Sequence, residues 1–223
     1  IRDREIGMKP IRIALTKGRL EKDTVALFDC MGMDTAAVKD KGRRLILPVD
    51  DNLEVVLAKA ADVITYVEHG VCDLGVVGKD TIAEYGGSFY EVLDLGYGRC
   101  RFALAAPKDK DFFAGYHGKT IASKYPNVAR SYFERKGMDV RIIKIEGSVE
   151  LAPLLGLSDG IVDIVETGST LKENGLQVVE DILPVSARLI VNMACMKLRK
   201  AEIEDLASRM ETALKEKVRR ARI

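Results

Sequence analysis

The sequence predicts an α/β fold with mostly parallel sheets, divided into two lobes. Short β-branched apolar runs alternate with amphipathic segments along the chain, which is the pattern of βα units. These runs are too numerous for one compact sheet in 223 residues, and a fresh βα alternation starts near residue 101. We therefore expect a first lobe formed by residues 1–100 and 178–223, and a second lobe formed by residues 101–177.

The elements of the first lobe are assigned from the spacing of apolar residues. Strands are placed where β-branched residues run together, and helices where apolar residues recur three or four positions apart before a glycine. The expected strands are 11–15, 43–48, 72–80 and 90–96, and the expected helices are 21–31, 53–61 and 62–70.

The second lobe is assigned in the same way. Its expected strands are 100–107, 120–122, 140–145 and 161–165, and its helices are 127–136, 148–155 and 171–175. Strands at 177–183 and 187–194 then return the chain to the first lobe. The tail is predicted as an amphipathic helix with Ile203, Leu206, Met210 and Leu214 on one face.

Composition and charge exclude several classes of function. The chain is 47% hydrophobic and 31% charged with a net charge of +1, which argues against a broad basic surface for nucleic acid. No apolar run approaches the roughly 20 residues that span a bilayer, and the first ten residues lack a signal-peptide core. We therefore expect a cytoplasmic protein with no membrane partner. Residues 1–10 carry no pattern, and Met8 is a candidate for the native start behind a tag or leader remnant. The four cysteines are widely spaced and suggest neither a zinc site nor a disulfide framework.

One predicted strand carries an acidic residue in an apolar run. Asp163 interrupts the segment 161–165, and Thr167-Gly168-Ser169-Thr170 follows it. A strand that leads into such a loop presents backbone N–H groups and hydroxyls to one point, which suits a phosphate. The carboxylates of Asp163 and Glu166 can accept hydrogen bonds from sugar hydroxyls or hold Mg²⁺. A phosphorylated sugar fits both halves, although an ordinary turn followed by a helix cap has the same pattern.

A second candidate anion site follows the first strand. Lys17-Gly18-Arg19 stands between a strand and a helix, where a plain turn with solvated charges is equally compatible. Ligands of open α/β lobes bind at the carboxyl ends of the strands. The loops 16–20, 75–80, 146–148 and 166–170 are therefore expected to face one active-site cleft between the lobes.

Several segments together resemble one known family. Glu150, Gly156, Ser158, Ile161, Asp163, Ile164 and the run 167–171 match, in residue type and spacing, the signature of the ATP phosphoribosyltransferase family, the first enzyme of histidine biosynthesis. Further segments are similar to that family: 17–20, 65–68, 73–75, 78–80, 124–127 and 188–192. The resemblance extends from about Ile11 to Met193.

The resemblance implies an enzymatic function and a fold. It implies transfer of phosphoribosyl from 5-phosphoribosyl 1-pyrophosphate to N1 of ATP, with Mg²⁺ and release of pyrophosphate. It also implies a two-lobed fold similar to periplasmic binding proteins. Because the chain stops soon after the catalytic lobes, it resembles the short form, which works with a separate regulatory subunit related to histidyl-tRNA synthetase. A homodimer within a hetero-oligomer is therefore expected.

The resemblance also assigns roles to individual residues. Asp163, Lys17 and Arg19 are the expected catalytic residues, and Asp163 and Glu166 are the expected Mg²⁺ ligands. The 5-phosphate is expected on Thr167, Gly168, Ser169 and Thr170, and phosphate oxygens of ATP or pyrophosphate on Arg43 and Lys59 together with Lys17 and Arg19. The remaining expected substrate-binding residues are Glu146, Gly147, Ser148, Asp73, Gly75, Gly78 and Asp80.

Three positions depart from the family pattern. Lys59 stands where Arg is common, which keeps the charge but loses the bidentate fork. Ile64 replaces a usual Pro. Glu146 replaces a usual Asn and would repel a phosphate unless a cation is near.

A binding protein without catalytic activity is the alternative function. The same two-lobed architecture closes on amino acids and anions without chemistry. Two candidate phosphate loops and the absence of an export signal favour the enzyme.

Overall fold

A computed structural model describes residues 9–115 and 118–220, which divide into two compact units. The first unit comprises residues 9–82, 87–98 and 186–220, and the second comprises 83–86, 99–115 and 118–185. Met8, the candidate native start, lies outside the described residues. The expected lobe boundary at 178 falls inside the strand Leu176–Val185. The division comes later because this strand pairs along its length with Cys100–Pro107.

The first unit is built on a mixed sheet of six strands in the order β2-β3-β1-β4-β11-β5. Its elements are β1 (Ile11–Thr16), α1 (Arg19–Cys30), α2 (Ala36–Lys39), β2 (Ile46–Asp50), β3 (Leu53–Ala58), α3 (Ala60–Glu68), β4 (Leu74–Gly78), α4 (Lys79–Tyr85), β5 (Phe89–Asp94), β11 (Ala187–Asn192), α8 (Cys195–Leu198) and α9 (Lys200–Arg220). The last residues of α4 group with the second unit.

The second unit is built on a five-stranded mixed sheet in the order β10-β6-β9-β7-β8. Its elements are β6 (Cys100–Pro107), β7 (Lys119–Ser123), α5 (Pro126–Arg135), β8 (Val140–Lys144), α6 (Leu151–Leu154), β9 (Gly160–Val165), α7 (Ser169–Glu173) and β10 (Leu176–Val185). The expectation of a second sheet is confirmed.

Both sheets are mixed rather than mostly parallel. In the first unit β3, β1 and β4 are parallel neighbours, whereas β2, β11 and β5 run antiparallel to their partners. In the second unit β7 is parallel to β8 and β9, whereas β6 and β10 form antiparallel pairs. Among the strands joined through a helix, β3 and β4, β7 and β8, and β8 and β9 run in the same direction. One antiparallel pair, β2 and β3, is joined by a short turn. The other antiparallel pairs involve β5, β6, β10 and β11, the strands next to the points where the chain passes from one unit to the other.

One predicted helix is a strand. Residues 53–61 were assigned a helical pattern, but Leu53–Ala58 is β3, hydrogen-bonded between β1 and β2. Leu53, Val55 and Leu57 are buried while Glu54 is half-buried, which is the alternation of a strand. Leucine and alanine favour helices locally, but pairing on both edges of the segment outweighs that preference.

The core of the first unit lies beneath its central strands. Ile13, Leu15, Val55 and Val76 are fully buried and pack with Phe28 of α1. Burying each such side chain contributes about 1.5–3 kcal/mol. The carboxyl ends of the central strands are thereby held as a rigid edge. In the described part of the chain, no helix has the length and apolar character that crossing a bilayer requires.

Candidate functional site

A pocket of about 350 Å³ surrounds Asp163 at the end of β9. It is lined by the end of β9, by the loop and the first residues of α7 that follow it, and by Glu150 at the start of α6. The lining residues are Glu150, Asp163, Ile164, Val165, Glu166, Thr167, Gly168, Ser169, Thr170 and Leu171. The acidic side chain and the hydroxyl-rich loop singled out in the sequence are thus brought together in one cavity, here called the Asp163 pocket.

Strand register places this pocket at the carboxyl edge of the second sheet. Ser123 pairs with Lys144 of β8 and with Val162 of β9, so β7 and β8 end beside Val162, and Asp163 is the next residue of β9. The buried Ser123 hydroxyl donates to the carbonyl of Val162 at 2.6 Å and accepts the N–H of Tyr125 at 2.9 Å. The residues that follow these strands therefore meet at one edge, which is where ligands bind in open α/β sheets.

Asp163 is a partly buried carboxylate whose surroundings oppose ionisation. Burial raises the pKa of Asp163, and the nearby Glu150 carboxylate raises it further. A hydrogen bond from the Ile164 N–H and the positive charge of Lys124 act in the opposite direction. The carboxylate thus carries a desolvation cost that a hydrogen-bonding or cationic ligand would relieve.

The loop after β9 presents donors to the same cavity. Gly168 adopts a left-handed conformation at φ 80°, which turns the chain before α7. The hydroxyls of Thr167 and Ser169 lie 3.0 Å apart, and the Ser169 N–H donates weakly to Thr167 Oγ1 at 3.4 Å. Within the described residues, the N–H groups of Gly168 and Thr170 donate no hydrogen bond. Amides and hydroxyls are therefore available to an anion.

The segment 146–148 follows β8 at the same edge of the sheet. Glu146 is exposed, and its carboxylate forms a 2.8 Å ion pair with Lys144. This hydrogen bond lowers the pKa of Glu146, and the charge of Lys124 adds to the effect. The Glu146 carboxylate, which departs from the family pattern, therefore has the Lys144 cation beside it. Gly147 and Ser148 are exposed, and Gly147 has open space where a side chain would stand.

The cations expected to bind phosphates lie together on the first unit. Lys17 and Lys59 directly follow the parallel strands β1 and β3, and the Lys17 N–H donates to the carbonyl of Ala58 at 2.9 Å. A bond from the Leu57 N–H to the Leu45 carbonyl extends the β2–β3 pairing toward Arg43. The side chains of Lys17, Arg19, Arg43 and Lys59 are all exposed. These four residues are here called the first-unit cations.

Two predicted binding residues have structural roles at other places. Asp73 precedes β4, at the edge opposite to the first-unit cations, and accepts hydrogen bonds from the Arg12 N–H at 2.8 Å and from Cys195 Sγ at 2.9 Å. Gly75 lies inside β4, where a Cβ would approach Val63 and Val67 of α3 to 2.8 Å. The structure therefore assigns Asp73 to a polar network and Gly75 to helix–sheet packing.

Gly78 and Asp80 lie at the carboxyl end of β4. A Cβ at Gly78 would overlap the Asp80 carboxylate, so the glycine makes room for that side chain. Asp80 is half-buried in the first turn of α4. Gly78 thus acts through the placement of Asp80, and its own backbone is paired with Ala187 of β11.

Lys124 and Glu150 are site residues that the sequence assignment of roles missed. Each belongs to a segment similar to the family, but neither follows a glycine-rich loop. Glu150 lines the Asp163 pocket, and the charge of Lys124 acts on both Asp163 and Glu146. Strand register locates Lys124, because this residue follows β7, which lies between β8 and β9. Glu150 is located by the packing of α6 against β9.

Comparison with known proteins gives concordant matches. The family profile described as HisG, ATP phosphoribosyltransferase, matches residues 59–212. An ATP phosphoribosyltransferase of Clostridium kluyveri is 59% identical over 211 residues, covering 94% of this chain and 96% of the relative. One of Clostridium acetobutylicum, with the same name, is 57% identical over 204 residues, covering 91% and 95%.

Solved structures agree with these matches. A chain of the ATP phosphoribosyl transferase (HisG:HisZ) complex from Thermotoga maritima has a TM-score of 0.80 and 32% identity, covering 92% of this chain and 99% of that one. The periplasmic aliphatic sulphonate binding protein SsuA from Escherichia coli has a TM-score of 0.56 at 11% identity, covering 92% and 72%. The second likeness concerns the fold alone, and it agrees with the expected two-lobed fold.

Proposed function

Because the chain belongs to the ATP phosphoribosyltransferase family, we propose that its Asp163 pocket binds 5-phosphoribosyl 1-pyrophosphate, whose phosphoribosyl group is transferred to N1 of ATP. One observation supports this placement above the others. The carboxylate of Asp163 and the donors of the loop 166–170 line the same cavity of about 350 Å³. The carboxylate can accept hydrogen bonds from ribose hydroxyls, and the loop can donate hydrogen bonds to a phosphate ester.

The reaction needs positioning and charge stabilisation more than a reactive side chain. The bond from adenine N1 to the anomeric carbon forms while the bond from that carbon to pyrophosphate breaks, and the electron pair leaves with pyrophosphate. Positive charge develops on the ribose, as in other displacements at an anomeric carbon. A carboxylate at Asp163 would orient the ribose hydroxyls and stabilise that charge in a partly desolvated setting.

The loop would hold the 5-phosphate of the donor. The N–H groups of Gly168 and Thr170 and the hydroxyls of Thr167, Ser169 and Thr170 are the donors at hand, and all of these residues line the pocket. Charge-assisted hydrogen bonds of this kind contribute about 1.5–3 kcal/mol each.

The first-unit cations would bind the oxygens of ATP or of departing pyrophosphate. Lys17 and Lys59 follow adjacent parallel strands, so their backbones are held at a fixed spacing. Lysine neutralises phosphate as a point charge, whereas Arg19 and Arg43 can contact two oxygens at once. These residues therefore supply the leaving-group stabilisation expected of a phosphoribosyl transfer.

Mg²⁺ is the expected cofactor, and the residues of the Asp163 pocket fit it. Residues 9–115 and 118–220 contain no cluster of three or more His, Cys, Asp or Glu side chains suited to a metal ion. Mg²⁺ is commonly held by one or two carboxylates together with water and substrate phosphates. Asp163 and Glu166 would hold it here. When bound, the cation supplies charge that neutralises the pyrophosphate oxygens.

A regulatory partner is part of the proposal. The Thermotoga maritima structure is a HisG:HisZ complex, and its chain is matched over 99% of its length. We therefore propose that this chain forms a homodimer that assembles with a subunit of the same kind, related to histidyl-tRNA synthetase. A cytoplasmic location agrees with relatives named for a biosynthetic activity.

Variants of the Asp163 pocket test the proposal. With ATP, 5-phosphoribosyl 1-pyrophosphate and Mg²⁺, pyrophosphate release by Asp163→Asn should fall at least about 100-fold, by loss of transition-state stabilisation. Thr170→Ala should weaken donor binding about 10-fold, the effect of one hydrogen bond to a charged group. Thr212→Ala, which removes an exposed hydroxyl of α9, is the matched control.

The outcome separates the enzyme from a binding protein. If Asp163→Asn and Thr170→Ala both turn over like the parent chain, the pocket is not the donor site. If the parent chain binds ATP tightly but releases no pyrophosphate, the binding protein is favoured.

A further inference from the structure

Glu84 is a buried carboxylate that the proposed reaction does not use. It stands near the end of α4, in the short segment 83–86 that groups with the second unit, and is 7% exposed. Its oxygens accept the N–H of Asn127 at 3.0 and 3.2 Å and the N–H of Val128 at 3.0 Å. A buried charge with several donors is a fixed element of structure rather than a surface residue.

These contacts place Glu84 at the start of α5. The N-cap residue of this helix, Tyr125, makes no side-chain capping bond, and Pro126 has no N–H to donate. Glu84 therefore satisfies the free N–H groups of the first turn, where a negative charge is also favoured by the helix dipole. The Asn127 side chain donates back to the Glu84 carbonyl at 3.0 Å, which closes a reciprocal pair.

The short turn between β7 and α5 is thereby fixed at both ends. On the strand side, Ser123 is bonded to the carbonyl of Val162, the residue before Asp163. On the helix side, Glu84 holds Asn127 and Val128. Lys124 is the exposed residue between the two anchors, and within the described residues its ammonium forms no ion pair.

The charge balance of the pocket indicates a role for Lys124 as a cation. The pocket carries the carboxylates of Asp163, Glu150 and Glu166, yet the proposed ligand is itself strongly anionic. Lys144 is already paired with Glu146 at 2.8 Å. Lys124, whose charge acts on both Asp163 and Glu146, is the neighbouring cation that a ligand can engage.

We propose that Lys124 binds anionic oxygens of the phosphoribosyl donor and that Glu84 is a positioning residue that acts through Lys124. Glu84 fixes the turn at residues 124–126, and the turn fixes the lysine beside Asp163. The inference rests on the proposed donor site and adds a cation and its support to it. The segment 124–127 is similar to the family, but the resemblance assigned it no role. This inference gives the segment a role in donor binding.

A double-mutant cycle on the full chain tests this coupling. The dissociation constant for 5-phosphoribosyl 1-pyrophosphate is measured calorimetrically for the parent, Lys124→Met, Glu84→Gln and the double variant, together with KM and kcat from pyrophosphate release. Lys124→Met should weaken donor binding about 10-fold, and Lys124→Arg should restore most of it. Glu84→Gln turns an amide N–H toward a backbone N–H and should weaken binding about 3- to 10-fold, through KM more than kcat.

Non-additivity is the decisive result. The double variant should bind the donor no more weakly than Lys124→Met alone, because Glu84 then has no cation to position. Asn127→Ala, which keeps the carboxylate but removes the reciprocal bond, gives a milder second route if Glu84→Gln does not fold. Asp159→Asn is the matched control, since Asp159 accepts the Thr120 N–H at 2.8 Å at the other end of β7.

Two results would overturn the inference, and a third concerns the donor site. Multiplicative losses in the double variant would show that Glu84 acts independently of Lys124. A Glu84→Gln variant that changes stability but binds the donor like Asp159→Asn would make Glu84 purely structural. If instead Thr170→Ala binds the donor like the parent chain, the donor site itself is misplaced.

Discussion

The hydroxyl of Ser123 donates a 2.6 Å hydrogen bond to the carbonyl of Val162, the residue that precedes Asp163. The same oxygen accepts the Tyr125 N–H, so one fully buried side chain ties the end of β7 to β9 and to the turn that carries Lys124. The relative position of Asp163 and Lys124 is therefore set by a residue that touches no ligand.

Removal of this hydroxyl should cost stability and donor affinity together. Ser123→Ala leaves the Tyr125 N–H and the Val162 carbonyl with one partner fewer, which costs about 1–3 kcal/mol for buried groups. We expect a fall in Tm of several degrees, since 1 kcal/mol corresponds to about 2–4 °C in a chain of this size. Donor affinity, measured by calorimetry, should fall as well. Ser88→Ala, at an exposed serine, should change neither quantity.

Asp163→Asn should stabilise the fold while it removes activity. Burial raises the pKa of Asp163 above its ordinary value of 3.8, so ionisation at neutral pH opposes folding. An amide carries no such cost, and we expect a gain of about 0.5–2 kcal/mol, as is common when a functional-site residue is relaxed. Thermal unfolding at about pH 7.5 measures it against the parent chain.

The stability difference between Asp163→Asn and the parent chain should depend on pH. The cost of Asp163 is fully present above its raised folded-state pKa and is absent below 3.8, where the side chain is protonated in both states. The Tm difference between variant and parent should therefore shrink as pH falls through this window. A difference that stays constant from neutral to acid pH would contradict a desolvated carboxylate.

The Asp163 site could be predicted because its chemistry is local in sequence. An acidic residue in a strand, followed by Thr167-Gly168-Ser169-Thr170, predicts a phosphate-binding loop beside a carboxylate, whatever the strand packs against. Lys124 and Glu150 could not be found in this way, because parallel pairing of β7, β8 and β9 places Lys124 near Asp163, and the packing of α6 against β9 places Glu150 there. The local sequence pattern identifies the loop, whereas strand register and helix packing identify the residues that surround it.

The same distinction explains the errors in the first unit. Residues 53–58 are rich in leucine, valine and alanine, and only their place between β1 and β2 makes them a strand. The family resemblance places Gly75 among the substrate-binding residues, where a glycine would permit close approach of a ligand. The close approach is real, but the approaching group is the helix α3.

Gly75→Ala should therefore destabilise the first unit through overpacking. The new methyl group would meet Val63 and Val67 at 2.8 Å and the Ile190 side chain at 3.2 Å, all of which are buried. Extra volume in such a core costs about 1–3 kcal/mol, which urea unfolding can resolve. Gly147→Ala, where space is open, is the matched control and should cost little. Equal stability of the two variants would show that Gly75 is not a packing position.

Removal of Mg²⁺ should abolish turnover, and the pocket carboxylates should set the metal requirement. In the proposed site the donor would bring most of the metal ligands in its own phosphates, and the protein would add the carboxylates of Asp163 and Glu166. Chelation with EDTA should stop pyrophosphate release, and added Mg²⁺ should restore it. Glu166→Gln should raise the Mg²⁺ concentration needed for half-maximal activity several-fold, because a neutral amide is a weaker ligand for a hard cation. Glu173→Gln, at an exposed residue of α7, should leave that concentration unchanged. Full activity in EDTA would place the neutralisation of pyrophosphate on the lysines and arginines alone.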